Sequence, residues 1–145
     1  DAGRVLIDRD YSQQELRILA HFEGGALQTA YDVNPWLDVH EHARRMINKM
    51  LATDYKRSLI KTVGFGLIYG MGVVSMAEKA DVPPADAAQA RRAYLAGFSG
   101  LKEMQIEMRR RAASGEPIRT WGGREYFCEP PRIENGEFTL ARVLQ

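Results

Sequence analysis

Four residues of two chemical kinds, Arg57, Lys61, Phe65 and Tyr69, follow one another at intervals of four in a stretch that ends at Gly70. No other feature constrains the fold as much. Each step of four advances about 40° around an α-helix, so the four side chains lie along one face. The pattern predicts a helix from about Asp54 to Tyr69, broken by Gly70 and Gly72 before a second helical stretch from Val73 to Ala80. A face carrying two cations and then two rings is unusual for a plain core helix, which would place apolar groups there. It suits a nucleotide, with cations for a triphosphate and rings for a base or sugar. The same residues also suit a plainer arrangement, in which Phe65 and Tyr69 are core and the two cations stretch past them to solvent.

Around this helix the chain reads as mainly helical. Arg4 to Asp10, with the apolar run Val5-Leu6-Ile7, reads as a short buried strand that ends in acids. Ser12 and Glu15 have the spacing of a capping box, with Leu16, Leu19 and Ala20 as the apolar stripe behind it. Gly24-Gly25 ends that helix, and a loop through Asn34-Pro35 leads to a second capping pair, Asp38 and Glu41. Val39, Ala43, Met46 and Met50 then recur at helical spacing. Pro83-Pro84 opens a helix to about Gly97, and another runs from about Gly100 to Ala113. Ile118 to Phe127 reads as a hairpin turning at Gly122-Gly123.

Composition narrows the setting. With 45% apolar and 27% charged residues in 145, the chain can bury one domain-sized core. The net charge of +1 gives no global basic field. Locally, Arg44, Arg45, Lys49, Lys56, Arg57 and Lys61 face one nearby acid, Asp54, a cluster suited to phosphates or equally to a solvated helix face. The single cysteine, Cys128, excludes an internal disulfide framework, and no apolar stretch approaches the roughly 20 residues that cross a bilayer. A reduced, intracellular protein is expected, without a secretory signal and with both ends cut from something longer.

Asp10 ends the expected strand and precedes a capped helix, where a carboxylate serves either the helix start or a metal ion. His40 and His42, two apart on a helix, point to different faces and make a poor metal pair. Trp121 and Tyr126 flank the hairpin turn and read as cross-strand packing.

Taken together, two segments are specific. Asp10-Tyr-Ser-Gln-x-Glu-Leu-Arg17 resembles motif A of family A (DNA polymerase I-like) DNA polymerases, and Arg57 to Gly70 resembles their motif B. Asp38-Val-His40 is similar to the family's Asp-Ile-His segment, and the likeness runs on to Gly123-Arg124 and a final Leu-Gln145, so it covers essentially the whole chain. The fold this implies is α+β and mainly helical: fingers plus part of the palm of a right-hand polymerase, with a C-terminal hairpin. Residues 1–145 would then be a partial polymerase domain. Residues 1–23 would be palm strand and motif A helix, 24–115 the fingers helices including motif B, and 116–145 the hairpin and return to the palm.

The resemblance also implies roles. Asp10 would be the first metal-binding carboxylate, for two magnesium ions, and Tyr11 would add its backbone carbonyl. Glu15 would be the steric gate beside the sugar C2′ that disfavours ribonucleotides. Arg57 and Lys61 would clamp the incoming triphosphate, Lys61 also protonating the leaving pyrophosphate, with His40 as a further phosphate contact and Gln13 in the same region. Phe65 would pack on the incoming sugar, predicting strong discrimination against dideoxynucleotides. Tyr69 would stack near the templating base at the hinge of the fingers helix, where Gly70 and Gly72 permit a bend; Tyr69, Gly70 and Gln145 would meet DNA.

The implied parent is a DNA-directed DNA polymerase of bacterial or phage type, acting in replication or repair on primer-template DNA and deoxynucleoside triphosphates in the cytoplasm. Three positions depart from the family pattern: Gln14 where an aliphatic is usual, Gly64 in place of a common asparagine, and Ala141 where asparagine is frequent. Glycine inside a helix costs about 1 kcal/mol relative to alanine. The second catalytic carboxylate, carried by a His-Asp-Glu motif, and the thumb are missing from these residues, so the segment by itself is expected not to polymerise. Two other readings compete: a non-catalytic helical module binding nucleic acid through its basic cluster, which would have no use for Asp10 and Glu15, and a single-subunit RNA polymerase relative, which Glu15 opposes.

Overall fold

Among the described residues the chain runs through seven helices: α1 (Gln14–Glu23), α2 (Ala26–Val33), α3 (Val39–Leu51), α4 (Arg57–Ile68), α5 (Val73–Ala80), α6 (Pro84–Gly97) and α7 (Ser99–Ser114). Two antiparallel hairpins follow, β1 (Ile118–Arg119) with β2 (Glu125–Tyr126) and β3 (Arg132–Glu134) with β4 (Glu137–Thr139). These come from a computed structural model, which describes residues 3, 5–120, 122–127, 132–134 and 137–139.

Helix α6 is the hub, packing against α3, α4, α5 and α7, while α1 lies against α2 and α7. Its buried stripe is Ala87, Ala90, Ala93 and Tyr94. Small alanines let neighbouring backbones come close, and Tyr94 and Phe98, each 1% exposed, fill what remains. Burying each large apolar side chain contributes about 1.5–3 kcal/mol, so this core of short helices is held by packing rather than by helix propensity.

Helix α4 shows why. Leu59, Ile60, Val63, Gly64, Gly66 and Leu67 are buried along its inner side. At Gly64 an added Cβ would sit 3.0 Å from the Tyr94 hydroxyl oxygen and 3.3 Å from its Cζ. The glycine that departs from the family pattern thus lies where the Tyr94 ring crosses α4. Gly70 has φ +68, a left-handed turn that favours glycine, whereas Gly72 has φ −70, open to any residue.

Several expectations need correction. Val5 to Asp10 form no strand, and Val5, Leu6 and Ile7 are 83%, 95% and 72% exposed. A strand exists only by pairing, and the described strands β1 to β4 pair among themselves. The Ser12–Glu15 capping box does not form: α1 starts at Gln14, and its N-cap Gln13 is left-handed (φ 55, ψ 38) with no side-chain cap bond. A capping box needs an extended N-cap. The loop expected after Gly25 contains α2, capped by Glu23, whose Oε2 accepts from the backbone N–H of Gly25 at 2.7 Å and Leu27 at 3.2 Å. In α3 the third core position is Ile47, not Met46, and Met50 is half exposed. Helix α4 begins at Arg57, three residues after Asp54.

Helices α3, α5, α6 and α7 and the first hairpin lie where expected, with Ile118 opposite Tyr126. The β3–β4 hairpin was not foreseen, although Asn135-Gly136 between the strands is a strong hairpin signal. Cys128, Trp121 and Ala141 lie outside the described residues.

Replacing Gly64 with Ala should lower stability in urea unfolding, the overpacking of about 1–3 kcal/mol outweighing the propensity gain of about 1 kcal/mol. The loss should shrink in a Tyr94→Phe background, which removes the oxygen that the new methyl meets.

Candidate functional site

With its inner side buried, α4 turns Arg57, Lys61, Phe65 and Tyr69 outward. Arg57 and Lys61 are exposed, Phe65 is half-buried and Tyr69 is 50% exposed. The rings of Phe65 and Tyr69 stack with centroids 6.4 Å apart and planes 10° from parallel. Lys61 Nζ stands 5.9 Å from the Phe65 centroid, at the outer limit of a cation–π contact. The choice left open by the sequence is thereby decided: these residues are a surface and not part of the core.

His40 lies behind that surface. It is 4% exposed, its ring is 5.4 Å from that of Phe65, and its Nδ1 has no hydrogen-bond partner among the described residues. Burial and then the Arg57 charge hold its pKa below the usual 6.5, with Lys61 adding to the effect and Asp38 opposing it. The structure thus gathers His40, Arg57, Lys61, Phe65 and Tyr69 at one place.

Asp38 joins them. One carboxylate oxygen, Oδ1, accepts from the backbone N–H groups of His40 (3.1 Å) and Glu41 (3.2 Å), the N-cap that the sequence led us to expect. The other, Oδ2, accepts from Arg57 Nε at 3.1 Å and Nη2 at 2.7 Å. Burial pushes the Asp38 carboxyl up, but the Arg57 hydrogen bond, the two backbone donors and the Arg57 charge together hold it below its ordinary range.

The basic cluster is less bare than its sequence. Glu41, missed as a partner, accepts from Arg44 Nε and Nη2 at 2.8 Å and from Arg45 Nε at 2.9 Å. Those bonds, Arg44 first, bring the Glu41 carboxyl down to about 2. Asp54 stands 3.9 Å from Arg44. The spacing of Glu41 to Arg44 and Arg45, three and four along a helix, is the signal that could have revealed this pairing. Lys49, Lys56 and Lys61 have no acidic partner among the described residues.

Gln13 is placed as a bolt. Its Nε2 donates to the Leu37 carbonyl at 3.0 Å, and its Oε1 accepts from the Val39 N–H at 3.1 Å and the Tyr31 hydroxyl at 3.2 Å. It thereby ties the turn after Asp10 to the segment that carries Asp38 and His40. Arg17 reinforces the joint, donating to the carbonyls of Ser12 at 3.0 Å and Pro35 at 2.6 Å and lying over the Tyr31 ring. Burial pushes the Tyr31 hydroxyl up to about 12, with Arg17 opposing and Asp38 adding to it.

Asp10 and Tyr11 precede α1, and Glu15 stands in its first turn. All three are exposed, and no described hydrogen bond or ion pair joins them to α4. Tyr11 borders an open groove with Arg17, Ile18 and Trp36. Among the described residues no three His, Cys, Asp or Glu side chains converge as a metal site. Likewise, no described helix is long and apolar enough to cross a membrane. Gln145 lies outside the described residues.

Comparison with known proteins agrees with the motifs. The family model for DNA polymerase family A matches residues 1–142, and the chain belongs to that family. It is 37% identical over 106 residues to DNA polymerase I of Helicobacter pylori, covering 72% of this chain and 12% of that one. With DNA polymerase I of Pseudomonas aeruginosa the identity is 31% over 144 residues, 96% of this chain and 15% of that one. With DNA polymerase theta of Caenorhabditis elegans it is 29% over 144 residues, 99% and 8%. The chain therefore spans less than a sixth of the length of these curated relatives. Members of this family generally use divalent metal ions. The Asp10 carboxylate and the Tyr11 carbonyl are hard oxygen donors of the right kind, but two donors are too few for an ion that takes six or more, about the number usual for magnesium or calcium.

Two outcomes follow. Gln13→Ala should lower stability in urea by about 1–3 kcal/mol, because the Val39 N–H and Leu37 carbonyl lose their partner; Gln13→Gly should cost less, since glycine accepts the left-handed backbone. For His40 the folded pKa is depressed, so between the folded and unfolded values the unfolded chain binds more protons and stability rises with pH. Stability should be fully present above about pH 6.5 and fall below it, and His40→Gln should flatten that slope in urea midpoints taken from pH 7.5 to 5.5.

Proposed function

We propose that these residues hold the incoming nucleotide in a DNA-directed DNA polymerase, which transfers a nucleotidyl group from a deoxynucleoside triphosphate to a primer 3′ hydroxyl under the direction of a template strand. The observation that carries the reading is the outward face of α4, where two cations and two stacked rings stand in line in front of a buried histidine. In this reading α2 to α7 belong to the fingers and the residues around Asp10 to the palm. Primer-template DNA is the partner, and a cytoplasmic setting, in a bacterial cell or phage-infected host, goes with it.

Arg57 and Lys61 bind the triphosphate oxygens by charge-assisted hydrogen bonds, and Phe65 packs on the sugar. The primer hydroxyl gives up its proton to water as its oxygen bonds to the α-phosphorus and the bond from that phosphorus to the oxygen bridging to the β-phosphate breaks. Lys61 Nζ then donates a proton to the departing pyrophosphate. His40, kept neutral, adds a polar contact without further charge. Glu15 stands beside the sugar 2′ position and excludes a hydroxyl there. Asp10 and the Tyr11 carbonyl would supply part of the oxygen set for two divalent ions, magnesium in this reading, whose chemistry would be to lower the pKa of a hydroxyl and to offset phosphate charge. Tyr69 and Gly70 meet the template strand, and Gln145 the DNA farther on.

The test places residues 1–145 in the matching segment of a complete family A polymerase and measures primer extension. Asp10→Ala should abolish extension, and Lys61→Ala should slow it by about 100-fold or more. Glu15→Ala should retain extension but admit ribonucleotides. Extension indifferent to Asp10 and Lys61, with salt-steep DNA binding insensitive to nucleotide, would replace this reading with a phosphate-binding module.

A further inference from the structure

We propose that Asp38 is a positioning residue for the incoming nucleotide, holding Arg57 by its side edge so that the end of the guanidinium faces the triphosphate. The inference rests on the phosphate-binding reading of Arg57 given above, and deepens it.

A guanidinium carries five N–H groups in a rigid planar fork. Asp38 Oδ2 takes the side edge, Nε at 3.1 Å and Nη2 at 2.7 Å. The end edge, made of Nη1 and the second N–H of Nη2, is left pointing away from Asp38, and that edge can grip two oxygens of one phosphate in parallel. The neighbouring oxygen of the same carboxylate is already fixed, because Oδ1 accepts the His40 and Glu41 backbone N–H groups at 3.1 and 3.2 Å. One side chain therefore links the start of α3 to the first residue of α4, 19 positions apart. It sets both the aim of Arg57 and the backbone of His40, whose ring lies 5.4 Å from Phe65.

Stability is a poor explanation for such a pair. The Arg57 and Asp38 side chains are 47% and 45% exposed, and ion pairs so open to water add little to folding. Aim is the better one. A free arginine samples many rotamers, and holding it in place before the nucleotide arrives removes that entropy from the binding step.

Asp38→Ser separates the two duties, since serine caps a helix nearly as well as aspartate but cannot hold the guanidinium. Asp38→Asn is the second variant, an equally good cap that turns an amide toward Arg57. Both belong in the complete polymerase that carries residues 1–145, with steady-state kinetics against deoxynucleotide and a thermal melt. Melting should stay near that of the parent, while KM for the deoxynucleotide rises by about 10- to 100-fold and kcat changes less. In an Arg57→Ala background, Asp38→Ser should change KM by less than about twofold, because the residue through which it acts is gone. An unchanged or lowered KM, or an equal rise with Arg57 absent, would overturn the positioning role. If Arg57→Ala itself leaves KM unmoved, the phosphate-binding reading of Arg57 fails first, and this inference falls with it.

Discussion

The approach of α4 to α6 is the constraint on which the rest of this structure depends. Gly64 has no side chain where the ring of Tyr94 crosses, and Gly66 leaves room for Met76 in the same way. With Leu59, Ile60, Val63 and Leu67 also turned inward, α4 has only one side left for water. That side is where Arg57, Lys61, Phe65 and Tyr69 stand. A larger residue at position 64 would either lift α4 from the core or rotate it, and the line of cations and rings would lose its direction. Packing of apolar atoms thus sets the geometry of a polar surface, since close-packed interiors transmit displacement rather than absorb it.

Upon that frame a few side chains bonded to backbone fasten the loops. Gln13 spans the turn after Asp10 and the residues on both sides of Asp38, and Glu23 closes one helix while opening the next. Asn48 works in the same manner, donating to the Tyr55 carbonyl at 3.0 Å and accepting its N–H at 2.8 Å before α4 begins. Each of these bonds is modest alone, about 1 kcal/mol net. Their value is directional, because they decide where a loop puts its charged neighbours. His40 shows the other side of such placement: burial, and then the charges of Arg57 and Lys61, hold its pKa down, which favours the neutral ring beside those cations.

Much of this was legible beforehand, for reasons that differ by element. Helices α3, α5, α6 and α7 announce themselves through caps, prolines and the spacing of apolar residues, all local properties. The four-residue spacing in α4 put its four site residues on one face, although not on which side of the protein. Helix α2 was hidden because its eight residues between Gly25 and Asn34 are barely two turns, too short for a clear period, and have no side-chain cap of their own; its cap comes from Glu23, in the preceding helix. Val5-Leu6-Ile7 misled because an apolar run predicts burial only if something covers it, and the described residues provide no partner strand. Ser12 and Glu15 have the right spacing for a capping box, yet the three bonds of Gln13 hold the backbone left-handed at the position where an extended cap was needed.

By itself the sequence determined the family, the order of six of the seven described helices and which side chains share a face, because motif spacing and helical period act within a few turns of chain. Tertiary structure alone decided that the α4 face is outward and that His40 sits behind it. It also decided that Arg57 is held by a carboxylate 19 residues away, and that Gln13 bolts rather than points into the site. These facts depend on which surfaces meet once helices distant along the chain pack together. The free energy of that meeting comes from apolar burial, which depends on area and shape; apolar spacing marks which face of a helix is buried but not which partner covers it.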